Sequence, residues 1–163
     1  MTRVGLGYDV HAYSEDPDRP LVLGGVTFAG ARGLAGHSDA DVVAHAVADA
    51  LLGAAGLGDI GSHFPDTDPI WAGADSVGLL RTVAGQVREA GWAPGNVDCA
   101  VVLDTPKLAP NRQAMQARLS AAVGADVTVK AKRTEGLGAL GRGEGVACWA
   151  VALVDPFPPA GRL

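Results

Sequence analysis

Val146 to Val154 is an unbroken apolar run, and nothing else in the chain limits the fold as much. Rich in small and β-branched residues and preceded by glycine, it reads as a β-strand. A strand apolar on both faces has to be covered on both. Asn96 to Leu103 and Val127 to Ala131 read as two more strands, and Val4 to His11 and Leu21 to Phe28 as a further two. Between the last pair lies Ser14-Glu15-Asp16-Pro17-Asp18-Arg19-Pro20, dense in turn formers. Helical spacing marks three segments. From Asp39 to about Ala55, Val43, Val47, Ala50, Leu51 and Ala54 form an apolar side, while Asp41, His45 and Asp49 fall four apart on a polar stripe. Asp75 to Ala90 and Asn111 to Val123 follow, with Gly91 and Gly124 as stops. Three helices for five strands leave one side of the last strand uncovered, and another subunit is the expected cover.

With 163 residues, 48% of them hydrophobic, the chain has enough material for one packed core and too little for two. A single domain over residues 1–163 is expected, with 156–163 as a C-terminal tail. A net charge of -5 argues against a generic nucleic-acid binder. There is no apolar stretch of about eighteen residues and no leader-like N-terminus, so a soluble, cytoplasmic protein without a membrane partner is expected. Cys99 and Cys148 each sit in an apolar run and read as buried thiols, not as a disulfide.

The chemistry gathers in Gly7-Tyr8-Asp9-Val10-His11, His37-Ser38-Asp39-Ala40-Asp41 and His45. Asp9 and His11 are two apart in a strand and leave it on one face. A third ligand from His45, on a helix, would leave one position of a tetrahedral zinc open, which is a catalytic rather than a structural pattern. Spacing alone leaves Asp41 and Asp49 as rival ligands or as hydrogen-bond partners of the histidines. Ser38 with Asp41 also matches a helix start with a serine cap, and His37 just before it sits where free backbone donors favour a phosphate. Two glycine patterns, residues 56–61 and 136–141, imitate a dinucleotide fingerprint, but neither lies between a strand and a helix, so a Rossmann site is rejected. The first instead makes a tight loop that delivers Asp59, followed by the turn-rich Phe64-Pro65-Asp66-Thr67-Asp68-Pro69, a solvated turn or a lid. Asp104 to Pro110 closes a strand with a loop able to bind a flat polar ring through its main chain. Thr134 and Glu135 end another strand with groups suited to phosphate and a hard divalent ion. Arg142-Gly143-Glu144-Gly145 is an exposed turn or a contact at an oligomer axis.

Taken in order, these motifs resemble the 2-C-methyl-D-erythritol 2,4-cyclodiphosphate synthase family from Arg3 to Val154: Gly-Tyr-Asp-Val-His at 7–11, His-Ser-Asp-Ala-Asp at 37–41 with His45, Gly-Asp-Ile-Gly at 58–61, Phe-Pro-Asp-Thr-Asp-Pro at 64–69 and Gly-Arg-Gly-Glu-Gly at 141–145. The resemblance implies an α/β fold of the α+β type: a mixed β-sheet covered by helices on one face, with the sheets of a homotrimer facing its axis. It implies active sites between subunits and Zn2+ on Asp9, His11 and His45. The implied substrate is CDP-linked, 4-diphosphocytidyl-2-C-methyl-D-erythritol 2-phosphate, cyclised with loss of CMP. His37, Asp59 and Glu135 take the catalytic roles. His37 and Ser38 donate to phosphates, and Glu135 holds Mg2+ or Mn2+ bridging to the diphosphate. Asp59 and Gly61, with Ile60 between them, bind the erythritol hydroxyls, and Phe64, Asp66 and Asp68 cover them. Thr105, Pro106, Lys107, Leu108 and Ala109 form the cytosine loop, and Thr134 contacts phosphate. Arg142, with Glu144, matches an axial pair associated with a bound isoprenoid diphosphate. The chain departs from the family at Lys132-Arg133, in place of a threonine-rich run, at Ala139, in place of an often aromatic residue, and at His63, expected to be a solvent-exposed loop histidine. The competing readings are a zinc phosphohydrolase and a non-enzymatic isoprenoid-diphosphate binder.

Overall fold

Gly5 and Gly7 decide how the first strand meets the first helix. A Cβ on Gly7 would stand 1.9 Å from the Ala46 carbonyl oxygen, and one on Gly5 would stand 2.0 Å from that of Ala50. The backbone of β1 (Arg3–Ala12) therefore lies directly on the alanine face of α1 (Val42–Ala55). The computed structural model describes residues 1–156, so all of the expected tail but Pro156 lies outside the described residues.

The main sheet has the order β1-β6-β4-β5. β6 (Gly145–Pro156) runs antiparallel to β1 and to β4 (Trp92–Val102), and β5 (Asp126–Lys132) runs parallel to β4. A parallel neighbour requires a crossover, which α4 (Arg112–Val123) supplies. With α1, α4 and α3 (Ser76–Glu89) packed together on it, the inner side of the sheet buries Val97, Cys99, Val101, Cys148, Ala150 and Ala152 in one apolar cluster. The outer side carries Val4, Leu6, Tyr8, Val10, Trp149 and Val151, which are 39% to 67% exposed. The mixed sheet covered on one face is as expected, and the last strand is apolar on both faces with only one of them covered in this chain. Both cysteines are free and buried. Among the described residues no helix is long and apolar enough to cross a membrane.

Three expectations need correcting. Leu21 to Phe28 is a hairpin instead of one strand: β2 (Leu21–Leu23) pairs with β3 (Val26–Phe28) across Gly24 and Gly25, whose φ values of 58° and 73° make the tight turn. The first helix starts at Val42 with Asp41 as its cap, not Ser38. Ala40 has a φ of 57°, a left-handed conformation that separates Ser38 from the helix. The third concerns segments read as loops: Ile60–His63 is a single-turn helix α2, Gly138–Gly141 a single-turn helix α5, and Pro69–Trp71 a 3-10 turn.

Asp41 is fully buried. Its carboxylate accepts from the N–H groups of Val43 and Ala44 at 3.1 Å, and from those of Gly24 at 2.8 Å and Gly25 at 2.6 Å. It caps the helix and docks the hairpin turn on it. Burial raises its pKa, and the backbone donors oppose that rise. With its acceptors spent on backbone, it is no metal ligand.

Substitution at the glycines tests the close approach. Gly7→Ala should destabilise the protein by about 3 kcal/mol, because the new methyl group meets backbone that cannot rotate away. Gly53→Ala, at an exposed helical site whose nearest neighbour would be 3.9 Å away, should stabilise it by up to about 1 kcal/mol. Chemical denaturation of both variants measures the contrast.

Candidate metal centre and cleft

The alternation that points Gly5 and Gly7 at α1 points the next two inward positions of β1, Asp9 and His11, at its first turns. His45 comes from that part of the helix. Asp9 Oδ2 lies 2.9 Å from His45 Nδ1 and 3.0 Å from His11 Nε2, and the two ring nitrogens are 3.2 Å apart. One donor atom from each side chain lies within 4.8 Å of the others.

The outward nitrogens are also placed. His11 Nδ1 donates to the Ala35 carbonyl at 2.7 Å, which leaves the Nε2 lone pair facing the site. Ala35 is held there by its own N–H, which donates to the Ala12 carbonyl at 2.8 Å. Arg19 pins the same segment by donating to the carbonyls of Leu34, Gly36 at 3.0 Å and Ser38 at 2.6 Å. His45 Nε2 faces the hydroxyls of Ser76 at 2.8 Å and Ser38 at 3.2 Å. Burial raises the Asp9 carboxyl, but the hydrogen bonds from His11 and His45 outweigh it and hold the group far below the usual carboxylate range. Burial lowers the His11 imidazole, but its bond to Asp9 outweighs that and leaves its pKa raised. Two nitrogens and one carboxylate oxygen, with rings oriented from behind, fit a divalent ion with one position open.

The three side chains line a cleft of ≈ 400 Å³, together with His37, Ser38, Ile60, Gly61, Phe64 and Asp66. Asp59 caps α2, its Oδ1 accepting from the Ser62 N–H at 2.8 Å and the Ser62 hydroxyl at 2.7 Å; these bonds lower its pKa. Ile60 N–H donates to Asp49 at 2.8 Å, so the second rival ligand anchors this loop instead. Phe64 packs edge-on against Trp71, ring centroids 5.0 Å apart. Asp68 caps the 3-10 turn, and its carbonyl lies 2.9 Å from His37 Nε2. The Phe64 to Asp68 stretch is thus a wall built on helical turns. His63 is half-buried, its Nε2 2.8 Å from the Leu57 carbonyl, and not the free loop histidine expected.

The other expected site residues do not line this cleft. Thr105, Pro106 and Arg142 line a separate cavity of ≈ 600 Å³ with Tyr13 and Arg32. Leu108 is 2% exposed, its side chain in the core and its carbonyl accepting from Asn111 N–H at 2.9 Å, so it anchors the loop between exposed Lys107 and Ala109. The Thr134 hydroxyl donates to Asp104 at 2.5 Å, and this bond lowers the Asp104 carboxyl. Glu135 follows, exposed and with a φ of 52°. Arg142 Nε pairs with Glu144 at 2.6 Å on the surface. Ala35, Ser76 and Trp71 were not anticipated, because no local spacing marks a carbonyl, a helix-start serine or a turn tryptophan as part of a site.

Three potential ligand atoms gathered at the wall of a cleft, with one side open to it, make the arrangement of a metalloenzyme and not of a closed structural ion site. The chain belongs to the YgbB family, which it matches over residues 2–155. It is 59% identical to a 2-C-methyl-D-erythritol 2,4-cyclodiphosphate synthase of Bordetella petrii, covering 93% of this chain and 94% of that one. Among solved structures it resembles the bifunctional IspDF of Campylobacter jejuni, with 42% identity and a TM-score of 0.91 over 96% of this chain and 43% of that one. It also resembles the IspF of Plasmodium falciparum in a CDP complex, with 32% identity and a TM-score of 0.81 over 96% of this chain and 97% of that one.

A pH series separates the proton and metal forms of the site. Metal must displace the proton that His11 shares with Asp9, so affinity should fall as pH is lowered through the raised His11 value, above its ordinary 6.5. The slope should be about tenfold per pH unit for one proton, with a plateau at higher pH. Metal-free stability should run the other way. The charged His11 contributes fully below 6.5 and its contribution is lost as pH rises through the raised value. Chelator competition and denaturant midpoints across pH measure the two trends.

Proposed function

We propose that this protein is a phosphorus-oxygen lyase that converts 4-diphosphocytidyl-2-C-methyl-D-erythritol 2-phosphate to 2-C-methyl-D-erythritol 2,4-cyclodiphosphate and CMP, in non-mevalonate isoprenoid biosynthesis. The observation that carries this reading is the convergence of Asp9, His11 and His45 at the cleft, in a chain 59% identical to a synthase of that name. The reaction needs no nucleophile from the protein. The 2-phosphate of the substrate attacks its own β-phosphorus, and CMP departs with the electron pair of the broken bond. The task of the protein is to fold the substrate back on itself and to offset charge.

Asp9, His11 and His45 would hold Zn2+, which suits a two-nitrogen, one-oxygen set, and Glu135 would hold Mg2+ or Mn2+. Such ions polarise phosphoryl oxygens and neutralise charge on the leaving phosphate. His37 and Ser38 stand beside the triad on the cleft wall, where they can orient the phosphate groups. Ile60 and Gly61 on the same wall, with Asp59 just before them, would bind the erythritol hydroxyls, and Phe64 and Asp66, with Asp68 beyond, would cover them. Thr105 to Ala109 would receive the cytosine, a reading supported by the CDP in the Plasmodium falciparum relative. Thr134 supports that loop through Asp104.

A homotrimer completes the reading. Two observations support it: the uncovered apolar side of β1 and β6, and the lining of separate cavities by the triad and the Thr105 segment. Association of three sheets would bury the former, and the cytosine loop of one subunit would face the metal centre of its neighbour. The surface pair Arg142 and Glu144 would then lie near the axis, where an isoprenoid diphosphate could meet three guanidinium groups. A cytoplasmic location accords with such a biosynthetic role.

Phosphorus NMR of the protein with zinc, magnesium and the substrate tests the reaction. Cyclic diphosphate should appear in step with CMP. A linear product would identify a phosphohydrolase, and an unchanged spectrum from folded, zinc-loaded protein would identify a binding protein. His45→Ala should lose zinc and turnover while remaining oligomeric. Glu135→Gln should keep zinc and lose at least about 100-fold in kcat, and normal turnover with magnesium would remove Glu135 from the metal assignment.

A further inference from the structure

His45 turns Nδ1 to the metal centre, and its other ring nitrogen is held by residues from two distant segments. Nε2 lies 2.8 Å from the hydroxyl of Ser76, which opens α3 and is 1% exposed. The Ser76 hydroxyl donates to Asp39 Oδ1, and the Ser76 N–H donates to Asp39 Oδ2 at 3.2 Å. Asp39 is itself fixed. Its N–H donates to the Ala74 carbonyl at 3.1 Å, and its Oδ1 accepts from the Asp41 N–H at 3.1 Å. Ser38 stands behind, its hydroxyl 3.2 Å from the same ring nitrogen and 3.3 Å from that of Ser76.

With a metal ion on Nδ1, the proton count in this chain has one solution. A serine hydroxyl carries a single proton, and a carboxylate only accepts. The Ser76 proton therefore points at Asp39, and the Ser76 oxygen turns a lone pair to His45. The Nε2 proton of the metal-bound ring then has the Ser76 lone pair as its acceptor, whereas in the metal-free ring Nδ1 can donate to Asp9 Oδ2, 2.9 Å away. We propose that Ser76 and Asp39 are positioning residues for His45: they fix its ring rotation and accept the Nε2 proton of the metal-bound form, so that Nδ1 is the coordinating atom. The inference rests on reading Asp9, His11 and His45 as a metal site. For His11 the same task falls to a backbone carbonyl, which no substitution can remove; for His45 it falls to two side chains, which makes it testable. The relay also ties the start of α3 to α1, so the two helices meet at the metal ligand.

Ser76→Ala is a clean probe, because the cap of α3 is Asp75, which accepts from the N–H groups of Val77 and Gly78 at 3.2 Å. Two readouts are needed: zinc affinity by chelator competition, and the position and solvent exchange of the His45 ring proton by long-range proton–nitrogen NMR of the zinc-loaded protein. The zinc-loaded wild type should carry the His45 proton on Nε2 and protect it from exchange. Ser76→Ala should keep its fold by circular dichroism, lose about 10- to 100-fold in zinc affinity and exchange the His45 Nε2 proton with solvent faster than the wild type does. Asp39→Asn should shift both readouts in the same direction. A zinc-loaded wild type whose His45 carries its proton on Nδ1 would overturn the proposal, and so would a folded Ser76→Ala that binds zinc as tightly as wild type. If Ser76→Ala fails to fold, Asp39→Asn and the exchange protection of the wild-type Nε2 proton decide. A wild type that binds no zinc in the same titration removes the metal reading itself, whereas equal tight binding by both proteins removes only the relay.

Discussion

Direct contact between the backbone of β1 and the alanine face of α1 is the constraint on which the rest depends. Side chains at positions 5 and 7 would push the strand off the helix, since a Cβ there meets carbonyl oxygens at 2.0 and 1.9 Å. With glycine in both places the strand sits close enough for Asp9 and His11, the next two inward positions, to reach His45. The geometry of the site thus follows from an absence of side chains two and four residues before it. Buried carbonyls and alanine methyls do not reposition as a loop would, and metal ligands need that rigidity.

A second layer of fixation surrounds the first. Asp41 takes four backbone donors, joining the β2–β3 hairpin to the start of α1, and Arg19 holds the segment that presents the Ala35 carbonyl to His11. These groups bear charge, yet their partners are almost all backbone atoms. A buried carboxylate with this many N–H donors retains hydrogen bonding while losing water, and in exchange the loops on either side of the triad acquire one conformation.

Much of this was legible in the chain. The period of two placed Asp9 and His11 on one face, and the helical period set His45 apart from the apolar residues of its helix. The doubly apolar run 146–154 announced a sheet with an uncovered side, which the structure shows at Trp149 and Val151. The helix start was misread because Ser38 and Asp41 satisfy a capping pattern, while the left-handed turn at Ala40, a residue with no special preference for it, leaves no trace in composition. Leu21 to Phe28 was read through its glycine pair because apolar residues flank it on both sides. The pairing of Ser76 with Asp39 has no local signature for another reason: they are 37 residues apart, and only the packing of α3 on α1 makes them neighbours.

What the sequence determined by itself is therefore periodic and local: which segments are strands and helices, which faces are apolar, and which side chains with metal-ligating chemistry leave a segment together. Those properties depend on neighbours within a turn or a pleat, so spacing reports them. Tertiary structure alone decided which carboxylate is free to serve as a ligand. Asp41 and Asp49 share the helical stripe of His45, and both proved to be committed to backbone N–H groups from other segments. It also decided which nitrogen of each histidine faces the site. That choice is made by the partner of the opposite nitrogen, the Ala35 carbonyl in one ring and the Ser76 hydroxyl in the other. Both partners arrive from distant parts of the chain, and only the folded packing brings them within hydrogen-bonding distance.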